Sequence, residues 1–101
     1  VASQGESPWF EAEIQKSMLG VLNKIFTNTY IYNFSNLSYP GGLWSFTFAT
    51  KGDTHPINDF KEERVLKSGL EFSYYNEGLH KAAFYLPTFM KKNLNGLIKN
   101  P

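Results

Sequence analysis

The chain has 101 residues, 42% of them hydrophobic and 17% aromatic, with a formal net charge of +1. That is too apolar for a disordered tail, and its mixed charges lack the basic stripe of a dedicated nucleic-acid binder. The absence of cysteine excludes disulfides and thiolate metal sites. No apolar run approaches the roughly 18–20 residues of a membrane span, and no signal peptide is visible. The expectation is a soluble, cytoplasmic, single segment over residues 1–101, with no membrane or nucleic-acid partner. Val1 stands where an initiator Met would, which fits either processing or a piece of something longer.

Ser7 and Pro8 carry helix-start chemistry: Ser is a favoured N-cap, and Pro at the first helical position loses no needed hydrogen bond. Phe10, Ile14, Met18, Leu22 and Phe26 recur every four residues, with Val21 and Ile25 beside them. An amphipathic helix is predicted over residues 8–26 with this stripe facing the core. Thr29 to Phe34 alternates, placing Tyr30, Tyr32 and Phe34 on one side of a strand. A loop over Ser35 to Gly42 leads into a second strand, Leu43 to Thr50. There Trp44, Phe46 and Phe48 share one face; Ser45 and Thr47 lie on the other, which Leu43 and Ala49 soften enough that both faces can be covered.

Lys51-Gly52-Asp53 is a turn signal, and His55 to Asn58 reads as loop with a solvated His55. A short polar helix over Asp59 to Ser68 closes on Gly69. Glu71 to Tyr75 reads as extended, and Asn76 caps a helix through Phe84. Pro87 interrupts that helix or starts another, and residues 95–101 read as a frayed tail. A two-stranded hairpin is marginal alone in water, so its aromatic strands call for a larger sheet.

Catalytic machinery is sparse. His55 and His80 lie in different segments with no ligand spacing, and no nucleotide-binding glycine loop, nucleophile elbow or zinc-protease motif occurs. His80 reads as structural. Two loops stand out. In Tyr39-Pro40-Gly41-Gly42, proline biases Tyr39 to extended backbone and the glycines permit a turn or a close ligand approach. Gln4-Gly5-Glu6 follows the apolar Val1-Ala2; if those two end a strand, Gln4 sits just beyond it, where ligands bind in open α/β sheets. A plain turn and a plain capping loop are the respective alternatives.

Gln4-Gly5-Glu6-Ser7-Pro8-Trp9, Ser38-Tyr39-Pro40-Gly41-Gly42-Leu43-Trp44-Ser45-Phe46, Tyr74-Tyr75-Asn76 and His80-Lys81-Ala82-Ala83-Phe84-Tyr85-Leu86-Pro87 together resemble the C-terminal third of spermidine synthases, in the family's order. The resemblance implies an α/β fold class: the C-terminal fragment of a Rossmann-like, class I methyltransferase-type fold, with an antiparallel β-hairpin at the sheet edge and flanking helices. It implies polyamine biosynthesis, with transfer of an aminopropyl group from decarboxylated S-adenosylmethionine to putrescine. The products are spermidine and methylthioadenosine.

By the same resemblance Tyr39 and Gln4 line the amine site, and Trp44 extends its wall or belongs to the core. The catalytic Asp, the nucleoside-binding half and the N-terminal β domain are expected upstream of Val1. The chain is then expected to be the amine-side wall, inactive alone, with no cofactor beyond the co-substrate and a homodimeric or homotetrameric parent. Ser38 and Gly41 depart from the family's usual Thr and Ser, which leaves the amine preference open. The alternatives are an amine N-methyltransferase on the same scaffold and a non-catalytic aromatic-rich binding module.

Overall fold

The computed structural model describes residues 1–36, 38 and 41–99. Its elements in chain order are β1 (Ala2–Glu6), α1 (Ala12–Ile25), β2 (Asn28–Ser35), β3 (Leu43–Thr50), α2 (Glu62–Lys67), α3 (Glu77–Ala82) and α4 (Thr88–Asn93). The predicted hairpin is β2–β3, antiparallel from Asn28↔Thr50 to Ser35↔Leu43. It does not stand alone: β1 adds to the other side of β3, also antiparallel, giving the order β1-β3-β2. The third strand supplies what a lone hairpin lacks.

Register assigns the faces. Thr29, Ile31, Ser45, Thr47 and Ala49 lie on one face and are all buried. Small side chains there let α1 and α4 approach closely, and Leu19, Ile31, Met90 and Leu94 form the core between them. Tyr30, Tyr32, Phe34, Trp44, Phe46 and Phe48 lie on the opposite face. Phe84, buried, closes part of that face, 5.0 Å from the Tyr32 ring and 6.5 Å from those of Tyr30 and Phe48. Both faces of the hairpin are therefore packed, as the apolar softening of β3 predicts.

Helix α1 departs from its prediction. It begins at Ala12 rather than residue 8, because Ser7 first closes a turn: its hydroxyl accepts from Phe10 N–H and its carbonyl from Glu11 N–H. The residues turned to the sheet are Gln15 and Leu19. Of the predicted core stripe only Met18, Leu22 and Phe26 are partly covered; Phe10 and Ile14 are exposed, and so are Val21 and Ile25. The helix has two apolar strips about 100° apart, and the sheet takes the one beginning at Gln15.

Helix α2 is shorter than predicted but ends at Gly69, whose φ of +72° suits glycine alone at that position. Asn76 caps α3 by accepting from Leu79 N–H at 2.7 Å. Glu71 to Tyr75 joins no strand, and Pro87 is the N-cap of a separate helix, α4. The tail is not frayed through residue 99: Leu97 and Ile98 pack on the core, and Lys99 N–H donates to Thr29 O at 2.8 Å. Leu19 is fully buried at the centre of this packing. Leu19→Ala should cost about 2–5 kcal/mol, read as a lowered denaturant midpoint with unchanged slope.

Candidate functional site

Gln4 lies inside β1, not beyond its end. The strand continues through Glu6 by a β-bulge: Gln4 pairs with Phe46 and Glu6 with Ser45, leaving Gly5 as the extra residue. This pairing puts exposed Gln4 on the aromatic face, beside Phe46 in the middle of the sheet. Gly5 is required: a Cβ there would fall 2.6 Å from Ser45 Oγ. Glu6 takes a φ of +67°, the one positive value at a non-glycine among the described residues, a strained conformation that persists only where its surroundings enforce it.

The surroundings are two buried polar side chains. Gln15 Nε2 donates to Gly5 O and to Ser45 Oγ, each at 3.0 Å, and Ser45 Oγ donates to Glu6 O at 2.7 Å. Both carbonyls of the bulge are thus held. Sequence reasoning missed Gln15 and Ser45. The available signal was a glutamine at a helix position four residues before the core Leu19, where a polar group is tolerated only if bonded.

The two glycines of the second predicted motif come to the same end of β1. Gly41 and Gly42 have φ of +85° and +72°, and a Cβ on Gly41 would meet the Phe10 ring at 2.7 Å. The close approach at Gly41 is made by the Phe10 ring, from the segment that follows Gln4-Gly5-Glu6. Asn36 N–H donates to Gly42 O at 2.7 Å, drawing the loop's ends together. Tyr39 and Pro40 lie outside the described residues. Trp44 is half-buried on the aromatic face, two residues from Phe46 and paired with Phe34, so it shares a face with Gln4.

The rest of this face is an aromatic hollow of about 400 Å³, walled by Tyr32, Phe34, Phe48, Phe60, Tyr75 and His80 among others. His80 is structural, as expected. Its Nε2 lies 3.0 Å from Pro56 O, which can only accept, so Nε2 carries a proton. Nδ1 bonds the Tyr75 hydroxyl at 2.9 Å, and the ring stacks on Phe60 at 3.7 Å. His55, predicted to be solvated, is half-buried: its Nδ1 accepts from the backbone N–H groups of Ile57 and Asn58, and its ring meets Tyr30 edge-on. Burial raises the hydroxyl pKa of Tyr30, Tyr32 and Tyr75; Asp59 adds to the first and Glu77 to the last. Among the described residues no group of three or more His, Asp or Glu could hold a metal, and no helix is long and apolar enough to cross a membrane.

No protein-family model matches the chain. Curated relatives do: polyamine aminopropyltransferases of Thermotoga neapolitana and Thermotoga maritima are each 41% identical over 93 residues, covering 92% of this chain. That of Clostridium beijerinckii is 38% identical over 99 residues. The chain spans about a third of the length of these relatives, 31% of the two Thermotoga proteins. The crystal structure of Thermotoga maritima spermidine synthase superposes with a TM-score of 0.87 at 41% identity, over 92% of this chain and 33% of that one. A spermidine synthase solved in complex with the transition state analogue AdoDATO superposes equally well, at 0.87. The chain shares the α/β fold of the corresponding segment of these proteins. Over this segment the chain is similar to polyamine aminopropyltransferases, the spermidine synthases.

The raised tyrosines make a prediction with a definite sign. The unfolded chain loses their protons near pH 10, while the folded chain holds them to higher pH. Their contribution to stability is complete below about pH 10 and is lost as pH rises through the raised folded values. Tyrosinate absorbance of the folded protein should show part of the tyrosine population titrating above about pH 10; titration of every tyrosine near pH 10 in folded protein would contradict this.

Proposed function

We propose that this segment forms the amine-side wall of a spermidine synthase, an enzyme transferring an aminopropyl group from decarboxylated S-adenosylmethionine to putrescine. The neutral amine nitrogen attacks the propyl carbon bonded to sulfur. The carbon–sulfur bond breaks, its electron pair leaves with the sulfur as methylthioadenosine, and the amine's proton passes to an Asp of the upstream part. Spermidine is the other product. The observation that carries the reading is Gln4, an exposed amide on the aromatic face of the sheet in a segment similar to spermidine synthases over 92% of its length.

The chemistry of the wall suits the substrate. Putrescine has two ammonium groups and four methylenes; an amide oxygen from Gln4 and a phenol oxygen from Tyr39 accept from an ammonium. Aromatic surface shelters methylenes at roughly 0.8 kcal/mol each, and a ring face such as that of Trp44 attracts the cation. The co-substrate would be held by the rest of the catalytic domain. Two surfaces support a covering of that kind. Among the described residues β1 is an edge strand with β3 as its only sheet partner, and α1 presents Ile14, Val21 and Ile25 at 53–56% exposure on one strip. Unpaired edges and apolar strips of this size call for a partner.

Two outcomes are expected. The isolated chain given both substrates forms no spermidine, measured by chromatography of the amine products, whereas the full-length enzyme carrying it does; turnover by the isolated chain would refute the division of labour. Ile14→Lys is near neutral in the isolated chain, within about 0.5 kcal/mol. In the full-length enzyme it lowers the melting temperature, because there the strip is covered. Equal tolerance in both would place that strip in solvent.

A further inference from the structure

We propose that Gln15 is a positioning residue for Gln4: its buried amide locks the bulge that sets the Gln4 side chain toward the amine. The inference rests on the reading of Gln4 as an amine contact. Gln15 is 1% exposed, on a helix face whose next residue toward the sheet is Leu19. An apolar side chain would satisfy packing there. A buried amide is tolerated only with its hydrogen bonds made, and both protons of this one are spent on the bulge.

The bond directions are chemically fixed. Gly5 O can only accept, so the atom of Gln15 that touches it is nitrogen. The same nitrogen donates its second proton to Ser45 Oγ, which frees the single hydroxyl proton for Glu6 O. Gly5 O and Glu6 O are therefore held in sequence by one chain of bonds. Between them lies the residue with a φ of +67°. A regular strand would place Glu6 opposite Trp44 instead of Ser45. Releasing the tie lets Glu6 shift toward that pairing and undoes the fixed bulge that borders Gln4, whose own pairing with Phe46 is regular. Gln4 immediately precedes the bulge and takes its setting from it.

The test is steady-state kinetics of the full-length enzyme carrying this segment, with putrescine and the nucleoside co-substrate varied separately. Gln15→Leu keeps volume and removes both donors. The expected result is a KM for putrescine raised about tenfold, the equivalent of about 1.4 kcal/mol, with the KM for decarboxylated S-adenosylmethionine unchanged. Gln4→Ala should raise the same constant, and the double variant should be no worse than Gln4→Ala alone, since the two act as one unit. A structural role alone would shift both KM values together or add fully in the double variant, and either result overturns the proposal. If Gln4→Ala raises the putrescine KM and Gln15→Leu does not, positioning fails while the amine-site reading stands. If Gln4→Ala leaves it unchanged, the amine-site reading fails and takes the proposal with it. Should Gln15→Leu not fold, Ser45→Ala, which removes only the bond to Glu6 O and one acceptor, carries the same test; an unchanged putrescine KM then overturns the proposal.

Discussion

The side-chain amide of Gln15 spends both of its protons on the bulge of β1, and much of the architecture follows from where that places the strand. β1 pairs with β3 only up to Gln4 in regular register. Beyond it the chain must turn out of the sheet into the turn that starts α1, and it does so through a left-handed Glu6. Such a residue costs of the order of 1–3 kcal/mol, offset by the bonds from Gln15 and Ser45. Helix α1 thus carries the group that stabilises its own entry. The same contact sets the helix face against the sheet, because Gln15 can reach Gly5 O only if Leu19 points into the core.

That constraint explains an inversion between the faces of the sheet. The aromatic residues, which bury the most area, are only half-buried where they belong to β3, whereas Ser45, Thr47 and Ala49 are buried completely. Small side chains are needed where a helix must come close enough for an amide to bond the strand. The aromatics then occupy the other face, where Phe46 stacks on Tyr32 and Phe34 at 5.8 and 5.2 Å and Gln4 joins the row.

The legible and illegible parts of the sequence divide along the same line. Strict alternation in Tyr30-Tyr32-Phe34 and Trp44-Phe46-Phe48 marked both hairpin strands, since a period of two leaves no other regular structure. Asn76 and Gly69 marked helix ends through local chemistry that needs no tertiary information. The face of α1 was misread because Ile14, Val21 and Ile25 are as apolar as Leu19 and Leu22; periodicity locates an apolar strip but cannot choose between two. The bulge was invisible for a related reason. Its only local sign is Gly5, and the donors that hold it lie 10 and 40 residues further along the chain, at Gln15 and Ser45. Gln4 stood out by its place after Val1-Ala2 and by the resemblance, Trp44 by the resemblance, and the structure puts them on one face. Tyr39 lies outside the described residues, so its part in the site remains the resemblance's own.

In the proposed reading, the site and the uncovered surfaces are aspects of one fact. Gln4 belongs to the strand whose outer edge has no strand partner among the described residues, and its side chain is exposed. An ammonium bound there by one exposed amide gains little, because water competes for every hydrogen bond and screens the charge. Sheltering the amine requires a second wall, and the place for it is against the free edge of β1. Whatever pairs with that edge therefore does two things together: it satisfies the strand's open backbone groups, and it converts an exposed amide into a buried acceptor. Completion of the sheet and completion of the amine site are then the same event, which is why a bulge at this strand end, held from behind by Gln15, bears on the chemistry as well as on the fold.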